Sequence, residues 1–388
     1  MAFRRAMAFL GCSLAVSLAA ASVAASEVVL GGVENDRGVT VRETADGGFI
    51  VVGVNQSTGS GGEDIYLVRL DAEAKVRWES VFGGPGDDDG WSVLETASGG
   101  YLVAGFTNSE GKGGFDCLLA ATDEKGARLW SKTYGGSESD RCWAMAEADG
   151  GWVLAGETAS SGSGERDCYV IRTDAQGDEV WARSFGGARD DRCFSVAAAD
   201  DGGFVIAGQT YSYGAGDRDA WILKVDENGK FLWNVTQGGE ASDVAHSVVS
   251  DASGAFLVTG YTTSLAESPD DPMLLKIAGD GTVVWSRILP MEGHNRTITG
   301  ALAPDGEICL TGFSTSGHPS TGAAIVVKVD SDGRQLWSTS VLPTTSGQTF
   351  GYGVTATADG GCAVTGHTTV GSAGGLDLFF AKVDAIDQ

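Results

Sequence analysis

Aspartate recurs at one position of a repeating unit, as Asp36, Asp88, Asp140, Asp191 and Asp243, with Asn295 and Gln348 in the last two units. Carboxylates gathered round a common channel would supply the hard oxygen ligands that Ca2+ prefers. Asp88, Asp140, Asp191 and Asp243 are therefore candidate metal ligands, and Ca2+ is the one cofactor the chain suggests. The competing reading gives each Asp a structural task, accepting backbone N–H bonds in its own diglycine turn. Recurrence once per unit favours that second reading.

A second aspartate recurs as Asp64, Asp116, Asp167, Asp219, Asp271 and Asp377, followed five residues later by Arg69, Arg172, Lys224, Lys276 and Lys382. Paired charges can do acid–base work, but a pattern repeated in most units reads as structural ion pairs or solvated edges. His246, His294, His318 and His367 fall at different positions of their units and lack the close spacing of a zinc site. No nucleophile elbow, metalloprotease helix or phosphate-cradling loop is present. No catalytic constellation and no quinone-binding set is legible.

What positions these groups is a repeat of about 52 residues. Trp78, Trp130, Trp181, Trp233, Trp285 and Trp337 lie 52, 51, 52, 52 and 52 residues apart, and the diglycines from Gly31-Gly32 to Gly238-Gly239 keep the same period. Within the fourth unit, apolar runs at 192–197, 204–208, 219–226 and 230–236 are separated by Asp201-Gly202-Gly203, a glycine-rich loop and Glu227-Asn228-Gly229. Short Val-, Ile-, Phe- and Trp-rich runs between such turns are strand signals. The pattern predicts an all-β fold: a seven-bladed β-propeller with four antiparallel strands per blade. The repeats fall near 31–81, 82–133, 134–184, 185–236, 237–288, 289–340 and 341–388. Each Trp should sit between neighbouring blades, where full burial of roughly 200 Å² contributes at most about 5 kcal/mol. The seventh unit lacks a fourth strand, and residues 26–30 occupy the missing register, so the N-terminal strand should close the ring.

The run Asp-x-x-Gly-x-x-x-Trp, at Asp123–Trp130, Asp174–Trp181, Asp226–Trp233 and Asp330–Trp337, resembles the tryptophan-docking motif of quinoprotein-type propellers, without the Thr that usually precedes the Gly. The fuller repeat resembles bacterial secreted β-propeller proteins of unassigned role. The resemblance covers nearly all of the chain beyond residue 25 and implies architecture, not activity.

Residues 1–25 read as a signal peptide: Arg4 and Arg5, an apolar run from Ala6 to Ala20, then small residues to Ser26. A lipoprotein signal ending at Cys12 is the alternative. The formal charge of −26 becomes −28 without residues 1–25, which disfavours nucleic acid and anionic membranes as partners. No other segment could span a membrane. The expected location is secreted, periplasmic or cell-surface, and the protein is expected to be a monomer.

Export permits disulfides. Cys117 and Cys168 share one register in the third strand, Cys142 and Cys193 another in the first. A Cys in the third strand occurs only where the next unit has one in its first strand, which predicts the inter-blade bridges Cys117–Cys142 and Cys168–Cys193. Cys309 and Cys362 lie at different registers of second strands and are expected to be buried free thiols.

The leading functional reading is a non-catalytic binding or scaffold protein that uses a propeller face to bind a protein or glycan. A channel-mouth enzyme (an oxidoreductase, or a polysaccharide hydrolase or lyase) and a surface-layer or matrix component are the alternatives. The ligand face is expected in repeats five to seven, where Pro269, Pro272, Pro290, Pro319 and Pro343 break the symmetry, with Tyr211 and Tyr213 as a further exposed candidate.

Overall fold

The structure is a computed structural model that describes residues 25–315, 322–342 and 347–385. The expected signal segment up to Ala24, with Cys12, lies outside these residues, as do His318, Pro319 and Pro343.

The described residues form 28 strands in seven four-stranded antiparallel sheets. After β1 (Ala25–Leu30), the strands β2–β5 occupy 36–82, β6–β9 88–134, β10–β13 140–185, β14–β17 191–237, β18–β21 243–288, β22–β25 295–341 and β26–β28 349–383. Each sheet is a blade of a β-propeller, its first strand innermost and its fourth outermost. The seventh sheet takes β1 as its outer strand, antiparallel to β28 with Val28 opposite Phe380 and Leu30 opposite Leu378. The N-terminal strand thus closes the ring. In blade four the strands run Asp191–Ala198, Phe204–Thr210, Asp219–Val225 and Phe231–Gln237, within two residues of the expected bounds.

Burial follows position in the blade. The two middle strands of blade four are buried at every residue, while the outer strand alternates exposed and half-buried. Continuous apolar runs suit strands covered on both faces. The tryptophans ride the outer strand, so only Trp181 and Trp337 of the six are buried and the rest are half-buried. Each ring still joins blades. Trp181 donates from Nε1 to the Glu227 carbonyl of the next blade (3.0 Å), and Trp233 does the same to Gly279 (3.2 Å). Gly229, at φ +76°, leaves room for the Trp181 ring, because a Cβ there would sit 3.0 Å from it. A left-handed turn with no space above it needs glycine.

Cys117 is bonded to Cys142, and Cys168 to Cys193, each across a blade junction with Cα atoms 5.0 Å apart. The expectation of free thiols at Cys309 and Cys362 is overturned, since they form a third bridge with Cα atoms 6.0 Å apart. The reason is the pleat. Cys309 is the second residue of its strand and Cys362 the first. A one-residue offset turns a side chain to the opposite face, and adjacent blades meet through opposite faces. Unequal registers were therefore the condition for pairing.

Candidate functional site

The periodic aspartates of the inner strands are wholly buried or nearly so. Asp88 accepts from the Gly84 N–H (2.7 Å), from Ser109 Oγ (2.6 Å) and from Thr107 Oγ1. Asp140 and Asp191 accept from Gly136 and Gly187 and from Ser160 and Ser212 in the same way, and Asp243 from Gly239 and Ser264. Each carboxylate ties its diglycine turn to the loop after the second strand of its own blade. In blade six Asn295 reverses the polarity, donating from Nδ2 to the carbonyls of Met291, Glu292 and Gly293. In blade seven the register residue is Thr349, opposite Thr368, rather than the expected Gln348. Among the described residues no three metal-capable side chains converge. Calorimetry with Ca2+ is expected to give no saturable heat. A tight site lost in Asp88→Ala and Asp140→Ala would reverse that assignment.

The basic residues of the third strands also pair, though with different acids from those expected. Arg69, Lys224, Lys276 and Lys382 reach the turn between the first two strands, at Asp46, Asp201, Asp251 and Asp359. Five residues apart on one strand, Asp64 and Arg69 point to opposite faces.

The channel is shaped by β-bulges. Each inner strand shifts register at its fourth residue, as between Gly90 and Ser92 or Cys142 and Ala144. The bulged residues are Val39, Trp91, Trp143, Phe194, His246, Ile298 and Tyr352. Bulges re-aim side chains, and here they stack a belt of rings. Trp91 lies 6.3 Å from Trp143, Trp143 5.4 Å from Phe194, and Phe194 5.0 Å from His246. Hydroxyls latch neighbouring bulges, with Thr40 donating to the Trp91 carbonyl and Thr299 to that of Tyr352, both at 2.7 Å. On one side of the belt lies a chamber of about 470 Å³ with Arg42 and Glu147 in its wall.

The other side is the mouth formed by the loops between blades and those after the second strands. A cleft of about 390 Å³ opens there over blades five to seven, lined by Asp270, His294, Arg296, Phe313, Phe350 and Tyr352. Phe313 and Phe350 stack at 4.2 Å, nearly parallel. Asp270, 1% exposed, accepts from Arg296 Nε (2.6 Å) and holds His294 Nδ1 at 3.3 Å. The Arg296 guanidinium lies 4.6 Å over the Tyr261 ring. Aromatic walls with a few convergent polar groups are what small-ligand sites present. The cleft lies in the repeats where symmetry breaks. Tyr211 and Tyr213 are not part of it. Tyr213 is tied down by a hydrogen bond to the Gly186 carbonyl (2.8 Å), and Tyr211 lies 5.5 Å under Arg189.

Two histidines sit beside the mouth with lowered pKa values. His246 falls to about 4 through burial, with Arg218 and Arg296 adding to it. His367 also falls to about 4, through burial and then Arg37. A native group that resists protonation costs stability as pH drops below its unfolded value near 6.5, and the loss is complete near pH 4. For buried His367 that is on the order of 3 kcal/mol. His367→Phe should therefore lose less stability than the wild type between pH 7 and pH 4 in urea titrations. An identical loss in both proteins would contradict the assignment.

The sequence reading missed the arginines that ring this mouth. Arg37, Arg141, Arg192 and Arg296 directly follow the first periodic position, and Arg166 and Arg218 directly precede the second. The bulge aromatics were equally periodic, three residues after Asp88, Asp140, Asp191 and Asp243. Counting residue types at positions flanking each Asp was the signal that could have found both.

No protein-family model matches the chain. Over 201 residues it is 27% identical to the regulatory protein FlaEY of Caulobacter vibrioides, covering 46% of this chain and 20% of that protein. The chain thus matches only a fifth of that relative's length. A crystal structure of a protein of unknown function from Dyadobacter fermentans superposes with a TM-score of 0.50 at 12% identity, over 93% of this chain and 98% of that one. BBS1N, crystallised in complex with ARL6DN, superposes with a TM-score of 0.52 at 9% identity, over 94% and 96% of the two chains. At such identities the likeness is one of fold.

Proposed function

We propose that this protein is a non-catalytic binding protein of the cell exterior or envelope that holds a glycan in the cleft over blades five to seven. The observation that carries the proposal is the pairing of stacked Phe313 and Phe350 with the Asp270–Arg296–His294 set at one rim. Flat aromatic faces suit the C–H faces of sugar rings, and fixed donors and acceptors suit their hydroxyls. Three disulfides in one chain fit an oxidising compartment, in keeping with the expected signal segment. Among the described residues no helix is long and apolar enough to cross a membrane.

A protein ligand is the second reading, favoured by a different surface. Leu129, Val180, Leu232 and Val284, each just before its blade's Trp, are 65%, 60%, 46% and 56% exposed round the outer rim of blades two to five. Apolar side chains repeated along one rim suit contact with another protein.

The test is a glycan-array screen of the processed protein, repeated with Phe350→Leu. The glycan reading expects retained glycans and at least about tenfold weaker binding in the variant, with melting temperature little changed. An empty array, or full binding by the variant, would refute it.

A further inference from the structure

Across the mouth from the cleft, three guanidinium groups converge on one carboxylate. Glu157, 1% exposed, is held by Arg166 Nη1 at 2.7 Å, Arg141 Nη1 at 3.4 Å and Arg192 Nε at 3.2 Å. Arg192 also pairs with Asp190 at 2.9 Å. Next to them Arg218 donates to Gln209 (3.0 Å) and to the Tyr261 hydroxyl (2.7 Å), with no carboxylate partner among the described residues. The three guanidiniums of the triad thus pair with two carboxylates, Glu157 and Asp190, in a chain whose formal charge is −26.

Such a cluster is expensive without a counter-charge, because like charges held a few ångströms apart in a partly desolvated wall repel strongly. The arginines are nonetheless fixed in place. The Arg141 guanidinium stacks 4.3 Å from the Phe115 ring and 5.3 Å from that of Phe106. Buried Glu157 orients the other two. Each guanidinium carries more N–H donors than these contacts use, and the side chains of Arg141, Arg166 and Arg192 remain partly exposed. Fixed guanidiniums with spare N–H donors are the recognition element for an oxyanion, which arginine takes up in two-pronged fashion.

We infer that the triad Arg141, Arg166 and Arg192, oriented by Glu157, is an oxyanion-binding subsite of the mouth, so that the ligand carries a carboxylate or sulfate group. The assignment of a glycan rests on the proposed function; the oxyanion subsite itself does not. An acidic glycan would place its charged group on the triad while a ring occupies the cleft across the mouth.

Two measurements test this. Inorganic sulfate, titrated calorimetrically into the processed protein, should bind saturably in the millimolar range. Arg166→Gln should weaken it at least about tenfold, the loss of a charged hydrogen-bond pair. Arg166→Lys should fall between the two, and Phe350→Leu should bind sulfate like the wild type. Absence of saturable sulfate binding, or equal binding by Arg166→Gln at unchanged melting temperature, overturns the inference. On the array, uronate-bearing or sulfated glycans should be retained in preference to neutral counterparts. Retention of neutral glycans alone would overturn the inference while leaving the proposed function standing. An empty array with triad-dependent sulfate binding would uphold the subsite and refute the glycan.

Discussion

Deleting Ala25–Leu30 is expected to lower the melting temperature by about ten degrees or more and to make the protein aggregate. The deleted strand is the outer edge of blade seven, paired residue for residue with β28. It contributes Val28 and Leu30 to the core around Phe380 and Leu378, and Val29 to the core around Phe379. Three half-buried aliphatic side chains and their ladder hydrogen bonds stabilise by about 5 kcal/mol or more. For a domain of this size that corresponds to roughly ten degrees. The exposed edge would then be Asp377–Val383, whose central residues Leu378 to Ala381 are apolar, and long apolar edges template association. A melting temperature unchanged from wild type would show that blade seven does not depend on the N-terminal strand.

Reduction of the disulfides is the second large effect. The bridges close loops of 25, 25 and 53 residues. In the chain-entropy account each stabilises by about 3 to 4 kcal/mol. Their sum, about 10 kcal/mol, is comparable with the net stability of a typical domain. Full reduction should therefore unfold the protein near physiological temperature. Cys309→Ala with Cys362→Ala should cost as much as loss of either shorter bridge. Non-reducing peptide mapping should recover the three linked peptides Cys117–Cys142, Cys168–Cys193 and Cys309–Cys362. Free thiols at Cys309 and Cys362, or a melting curve indifferent to complete reduction, would contradict this.

The architecture was legible because its signals are local and repeated. Six tryptophans at one spacing, four of them preceded by an Asp-x-x-Gly turn, fix the repeat, and the apolar runs between turns fix four strands to each blade. The two shorter bridges were legible from matching registers. The third was not, because an odd register offset reads as a mismatch until two facing sheets are considered together. The mouth was less legible for a related reason. A bulge adds one residue to Cys142–Ala144 and its equivalents, and so turns Trp143 and Phe194 to where simple alternation does not put them. The arginines look like ordinary surface charges in sequence. Arg141 lies opposite Glu157 in the first hairpin of blade three, and only the packing of blade four against blade three adds Arg192 to that buried carboxylate beside Arg166.

The most direct test of the account is to map where a bound ligand protects the backbone. Hydrogen–deuterium exchange of the processed protein, with and without a glycan retained on the array, reads every blade in one experiment. Ligand held at the mouth should slow exchange in the loops that precede Asn295–Leu302 and Thr349–Ala356, around His294, and in those around Arg166 and Asp190, and leave the outer strands with Leu129, Val180, Leu232 and Val284 unchanged. Protection confined to those outer strands, with the mouth exchanging as in the free protein, would contradict it.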